Sequence, residues 1–388
     1  MYKLSKTVDA LPPSGIREFF DLVMSMDDVI SLGVGEPDFV TPWNIREAAT
    51  FALDKGYTSY TSNKGILELR AQISSYLDSA FKISYDPESE ILVTVGVSEA
   101  MDLVMRALLN PGDEVIVPEP CYVSYVPTVK LAGGIPVILD AFDLPGFKIT
   151  PEILEKSITS KTKALLLNYP ANPTGASYTS DELVALSKVI IKYGLLVISD
   201  EIYDLLSYDI KHTAMPSLPE MKERTIYFNG FSKGHAMTGF RLGYACGPEP
   251  VISAMNKIHQ YTMLCAPIVS QMAAIEALKN GKKAAEKMTA EYKRRRNFLI
   301  SGLNECGLDC HLPEGAFYAF PSIAKTGLDG IAFAKKLLTE EKVAVVPGSA
   351  FGNGGKKFIR LAYAASMDDL RTAVQRIKNF VKKCNQNL

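Results

Sequence analysis

Three short stretches hold the residue types that covalent and acid–base chemistry needs. In NGFSKGHAMTGFRLGY, Lys233 follows an apolar run and stands among Gly230, Ser232, Gly234 and Gly239. Ligands of open α/β sheets bind beyond the carboxyl ends of strands, and small residues let a ligand approach the backbone. A lysine there is a candidate nucleophile. Burial beside a second cation strips its solvation and adds like-charge repulsion, and both favour the neutral amine that forms a Schiff base with an aldehyde. Arg241, eight residues further on, can be that cation while holding a phosphate. Taken alone, a lysine and an arginine at this spacing more often form a solvated surface pair.

The second stretch is LLVISDEIYD, in which an apolar run ends at Asp200 and Tyr203 follows. A carboxylate buried at a strand end needs a cationic partner, which a protonated pyridine nitrogen would supply. The plainer role is a helix N-cap. The third is LLLNYPANPTG, where a strand gives way to a turn at Asn172. Asn-Pro and Thr-Gly are turn chemistry in any protein, yet a side-chain amide at a strand end also donates well to a phenolate oxygen.

The elements that must position these residues show a regular rhythm. Helical periodicity over 65–81 is followed by a strand at 91–95 and a helix from Ser98. Strands are then predicted near 114–117, 136–139 and 164–168, a helix at 180–192, and further strands at 195–199, 225–229 and 242–245. Such alternation predicts an α/β fold with a mostly parallel sheet between helices. From about Glu286 the pattern changes to a long charged helix, strands near 316–320, 343–346 and 358–361, and a last helix from Met367. That reads as a smaller α+β unit, and a helix beginning near Ile16 can belong with it.

The chain has 388 residues, 42 basic and 43 acidic side chains and a net charge of -1. Such a length provides for two domains, and mixed, balanced charge argues against a nucleic-acid partner. The six cysteines form no C-x-x-C pair and sit in no His cluster, so neither a metal site nor a redox pair is signalled, and a reducing cytoplasm suits them. The N-terminal stretch lacks the apolar run of a secretory signal, and apolar runs such as 189–199 are interrupted by Lys192. Neither export nor a membrane span is expected.

Together these segments resemble the pyridoxal-phosphate aminotransferases of fold type I, in the branch of microbial aspartate and aromatic aminotransferases. The resemblance runs from PPSGIREFF through SLGVGEPDFVTP, SYTSNKGILELR, NYPANPTG, SDEIYD and FSKGHAMTGFR to PEGAFYAFP, VAVVPGSAFG and FIRLAYA, nearly the whole chain. It implies a seven-stranded, mostly parallel sheet, with a large cofactor-binding domain at 45–285. The small domain would join the N-terminal arm, 1–44, to residues 286–388.

The resemblance also implies roles. Lys233 would bind pyridoxal 5′-phosphate covalently and act as general base, and Asp200 would keep the pyridine nitrogen protonated. Asn172 and Tyr203 would hydrogen-bond the phenolic oxygen, and Tyr122 would stack on the ring. The phosphate would be met by Ser98, Ser232, Arg241 and the helix-start N–H groups near Val97 and Ser98, and by Tyr60 from a neighbouring subunit of a homodimer. Arg360 would grip the substrate α-carboxylate beside the backbone of Gly35, with Ile16 and Tyr122 as candidates for an apolar side-chain pocket. His235 reads as a packed or partly solvated side chain, and Thr262 and Cys265 are only guesses for partner contacts. No second cation is assignable for a distal carboxylate, Lys64 reading as a solvated turn lysine. The expected reaction is ping-pong transfer from an L-amino acid, aspartate or aromatic, to a 2-oxo acid such as 2-oxoglutarate. Carbon–sulfur β-elimination and transamination of N-acetylated diaminopimelate are the alternatives.

Overall fold

In the computed structural model, residues 2–12, 26 and 28–386 are described. A two-residue strand, β1 (Ile30–Ser31), precedes the seven strands of the central sheet. These are β2 (Ile91–Thr94), β3 (Glu114–Glu119), β4 (Ile135–Asp140), β5 (Thr162–Asn168), β6 (Leu196–Asp200), β7 (Thr225–Gly230) and β8 (Gly243–Cys246). They lie in the order β2-β8-β7-β6-β5-β3-β4. Only β8 runs antiparallel to its neighbours. The central strands read as unbroken apolar runs because both faces are covered, which is the burial that β2, β7 and β8 show.

Helices Gly96–Leu108 and Glu249–Thr262 cover one face, where Val104, Met105 and Ile252 pack on Ile226 and Phe228. Helix Ser180–Lys192 covers the other, setting Leu183, Leu186 and Ile190 against Leu165 and Val197. It starts where the sequence places it because Thr179 and Glu182 form a reciprocal capping box. Helix Gly96–Leu108 begins two residues before the expected Ser98. Gly96, at φ +75, turns the chain straight from the strand into the helix.

The C-terminal part opens with the helix Lys282–Glu305 and carries β9 (Tyr318–Ala319), β10 (Val343–Ala344), β11 (Val346–Pro347) and β12 (Ile359–Ala362). The expected single strand at 343–346 is two. Its first half pairs in parallel with β1, and its second half pairs antiparallel with β12. A continuous apolar run cannot reveal that its halves serve different partners. β12 also pairs with β9. The amide of Ala362 donates to the Leu32 carbonyl at 2.7 Å, and Leu32 is buried among Phe317, Leu361 and Tyr363. The N-terminal segment is thereby held in the C-terminal core. The helix expected near Ile16 lies outside the described residues.

Candidate active site

The register of the sheet brings the three chemical stretches together. Asn168, the last residue of β5, stands opposite Asp200, the last of β6, which stands opposite Phe228 in β7. Beyond these ends opens a cavity of about 420 Å³, of the size that takes a small cofactor and its substrate. Eleven of the thirteen residues singled out from the sequence line it: Gly35, Val97, Ser98, Tyr122, Asn172, Asp200, Tyr203, Ser232, Lys233, Arg241 and Arg360. Of the other two, Tyr60 does not. Tyr60 stands 84 % exposed on the surface of its own chain, and Ile16 is not among the described residues.

Lys233 donates to the Gly35 carbonyl at 2.6 Å and lies over the rings of Tyr203 and Phe317. Burial, followed by the charges of Arg360 and Arg241, pulls its ammonium down to about 8. The second cation expected from sequence is thus first of all Arg360, from the far end of the chain, with Arg241 the lesser contributor. Asp200 is 5 % exposed, and burial pushes its carboxyl up to about 6 against the hydrogen bond from Tyr125. Its Oδ2 accepts from the Tyr125 hydroxyl at 2.7 Å, and its Oδ1 accepts from the Ile202 amide at 3.2 Å.

Arg360, 3 % exposed, reaches the cavity from β12. One terminal nitrogen donates to the Gly33 carbonyl at 2.5 Å and the other to Asn172 Oδ1 at 3.0 Å, while Nε has no hydrogen-bond partner among the described residues. The guanidinium lies between the rings of Tyr318 and Phe351. Because Arg360 takes the carbonyl of Asn172, the amide nitrogen is the group left to donate. Asn168 fixes that turn, accepting from the Asn172 backbone at 3.0 Å and donating to the Asp200 carbonyl at 2.8 Å.

At the opposite end, two glycines keep a cradle clear. A Cβ on Gly243 would lie 2.6 Å from the Val97 amide nitrogen, and one on Gly96 would stand 3.1 Å from Arg241. The free N–H groups at the start of helix Gly96–Leu108, the hydroxyls of Ser98 and Ser232 and the Arg241 guanidinium make an anion site of these parts. An anion site at one end, the buried Asp200 carboxyl and a lysine with a lowered proton affinity in the same cavity fit pyridoxal 5′-phosphate.

Sequence reasoning missed Tyr125, Asn168 and Tyr318, all of which line the cavity. Asn168 and Tyr318 stand inside quoted motifs, but nothing in spacing separates a tyrosine that bonds a carboxylate, as Tyr125 does, from one that fills a core. His235 is buried away from the cavity, and desolvation pulls it down to about 4, so it is a neutral packed ring. Glu201, next to Asp200, is fully buried and accepts from Ser199 at 2.7 Å, from Tyr169 at 3.1 Å and from the Met215 amide at 3.0 Å. Its second oxygen meets His212 at 2.6 Å, so this carboxylate ties the ends of β5 and β6 together from behind the site.

The whole chain is similar to known proteins. The family Aminotransferase class I and II matches residues 27–377. A putative aminotransferase of Bacillus subtilis, YugH, is 53 % identical, the match covering 98 % of both chains. An aromatic-amino-acid aminotransferase of Thermococcus litoralis is 42 % identical over 98 % of each chain. The solved aspartate aminotransferase of Thermus thermophilus, a single mutant, superposes with a TM-score of 0.93 at 39 % identity, covering 98 % of this chain and 100 % of the other. The chain belongs to the class I and II aminotransferases. It is a transaminase of the pyridoxal 5′-phosphate fold type I, moving amino groups between amino and 2-oxo acids.

Proposed function

We propose that the protein moves the amino group of an aromatic L-amino acid, and less readily of aspartate, to 2-oxoglutarate in a ping-pong cycle. The observation that carries this is the count of cations. Among the described residues lining the cavity they are Lys233, Arg241 and Arg360. The cofactor engages the first two and the substrate α-carboxylate the third, which leaves no fourth for a distal carboxylate on this chain. Lys64 does not line the cavity; it donates to the Glu88 carbonyl at 2.8 Å. The walls around Arg360 are instead the rings of Tyr122 and Tyr318.

When bound, pyridoxal phosphate supplies the electron sink that makes the substrate α-proton acidic. The chain supplies the rest. Arg360 and the Gly35 backbone hold the α-carboxylate and so fix which α-bond stands perpendicular to the ring. Lys233 Nζ, freed by the substrate, takes the α-proton and returns it at the other end of the reacting unit. Asp200 would hold the proton on the pyridine nitrogen, and the Asn172 amide and Tyr203 hydroxyl would donate to the phenolic oxygen.

Purified holoenzyme should transaminate phenylalanine and tyrosine against 2-oxoglutarate with a kcat/KM at least equal to that for aspartate or acetylated diaminopimelate. A protein that acts only on aspartate or the acetylated donor, or that releases pyruvate and ammonia from cysteine conjugates with no oxo acid present, overturns the reading.

The chain further reads as a large unit at 45–285 and a small one joining 1–44 to 286–388, working as a cytoplasmic homodimer. Supporting the dimer, exposed Tyr60 belongs to one patch with Tyr261 (87 % exposed), Met263 and Leu264, and Asn63 bonds the Leu264 carbonyl at 2.7 Å to join its two halves. Six free cysteines without a disulfide suit the cytoplasm. No described helix is long and apolar enough to cross a membrane.

A further inference from the structure

Tyr318 touches both Tyr203 and Arg360. Its hydroxyl lies 2.9 Å from the Tyr203 hydroxyl, and its face lies under the Arg360 guanidinium at 4.7 Å. Both phenols are buried, and the Tyr203 oxygen is the only hydrogen-bond partner of the Tyr318 hydroxyl among the described residues. A hydroxyl has one proton to give and lone pairs to receive. If Tyr203 spends its proton on the cofactor's phenolic oxygen, the bond between the two tyrosines must run the other way, with Tyr318 donating. The space for Tyr318 is kept open from the N-terminal segment, because a Cβ on Gly35 would come within 2.6 Å of its hydroxyl.

We propose that Tyr318 is a positioning residue for transamination. Its hydroxyl donates to Tyr203 and thereby commits the Tyr203 proton to the cofactor's phenolic oxygen, while its ring supports Arg360. The two functions then depend on one side chain, which spans from the C-terminal sheet to the central one. Chained hydrogen bonds polarise each other, so Tyr203 becomes a stronger donor than it would be alone. A stronger donor stabilises the phenolate and lowers the pH at which the cofactor–lysine chromophore loses its proton. The charged and titratable groups facing Tyr318 are Arg360, Tyr203 and Tyr122, and Lys233 lies over the Tyr203 ring. This inference rests on the reading of Tyr203 as donor to the phenolic oxygen.

The test is a spectrophotometric pH titration of the holoenzyme chromophore in wild type, Tyr203→Phe, Tyr318→Phe, Tyr318→Leu and Gly35→Ala, with KM for the amino donor measured alongside. Tyr203→Phe should raise the chromophore midpoint most. Tyr318→Phe should raise it by roughly half a unit, about threefold in the ionisation constant, with KM within about twofold because the ring under Arg360 remains. Tyr318→Leu should add a KM increase of about tenfold through loss of the ring face. Gly35→Ala, which displaces the hydroxyl without touching the ring's chemistry, should shift the midpoint in the same direction. An unmoved midpoint in Tyr318→Phe, with Tyr203→Phe shifted, overturns the coupling. An unmoved midpoint in Tyr203→Phe removes the underlying reading of Tyr203 instead, and the coupling with it.

Discussion

At the scale of single residues, one burial pulls Lys233 and Asp200 in opposite directions, and each result serves the reaction. Lys233, lowered to about 8, loses its proton as pH rises through that value, so the cofactor-free protein should capture pyridoxal phosphate faster with rising pH up to about 8 and level off above. Stopped-flow absorbance of the forming chromophore measures this. Lys233→Ala should abolish the borohydride-sensitive chromophore and lower transamination by about three orders of magnitude or more. For Asp200 the carboxyl is raised from 3.8 to about 6, so the fold binds its proton more tightly than the unfolded chain does. The stability that this proton confers is present below about 4 and lost as pH rises through 6; ionisation in the fold costs roughly 3 kcal/mol. Cofactor-free Asp200→Asn should therefore melt a few degrees above wild type at neutral pH, while its holo form loses transamination by about a hundredfold or more. A lower melting point for that variant would contradict the account. Lys233 and Asp200 stood out as candidates because charged residues at the ends of apolar runs need a reason to be there, whereas Arg360, inside the strand Ile359–Ala362, was reached only through the family resemblance. Tyr125 and Tyr318 were not, because a phenol belongs equally to a core and to a site.

At the scale of elements, the strands were legible to within about two residues because burial on both faces writes them as apolar runs. What could not be read was pairing: which half of 343–346 meets β1 and which meets β12 depends on contacts made far along the chain. The phosphate cradle shows the same dependence. Gly243 on β8 is needed because β8 passes against the turn before helix Gly96–Leu108, and its absent Cβ leaves the Val97 amide its place. Gly243→Ala should push that turn away and weaken pyridoxal phosphate binding by about tenfold, read by equilibrium dialysis, with a smaller effect on donor KM. Glu201 acts on elements as well, since four donors from three segments, the ends of β5 and β6 and the loop with His212 and Met215, converge on it. Glu201→Ala strands those buried groups and should cost about 3 kcal/mol or more in denaturant unfolding.

At the scale of the whole molecule, the proposed dimer would make the exposed aromatic patch intelligible, since a tyrosine that served a neighbour's phosphate would stand exposed on its own chain, as Tyr60 does. Light scattering should give twice the chain mass, and mixing Lys233→Ala with Tyr60→Ala subunits should restore part of the activity that each lacks alone. Sequence alone indicated this only through resemblance, since one chain's spacing says nothing about a surface completed by another. The way β1 is held has a further consequence, for synthesis. Gly33 and Gly35 leave the ribosome early, yet the strand that anchors them, β10, and the Arg360 that bonds Gly33 are made more than three hundred residues later. The substrate side of the site can therefore be completed only late in synthesis, with just the helix Met367–Gln386 still to follow. Until then the N-terminal segment has no place to dock, so a chain cut short before Val343 can assemble the central sheet and its phosphate cradle and still have no amino-acid pocket.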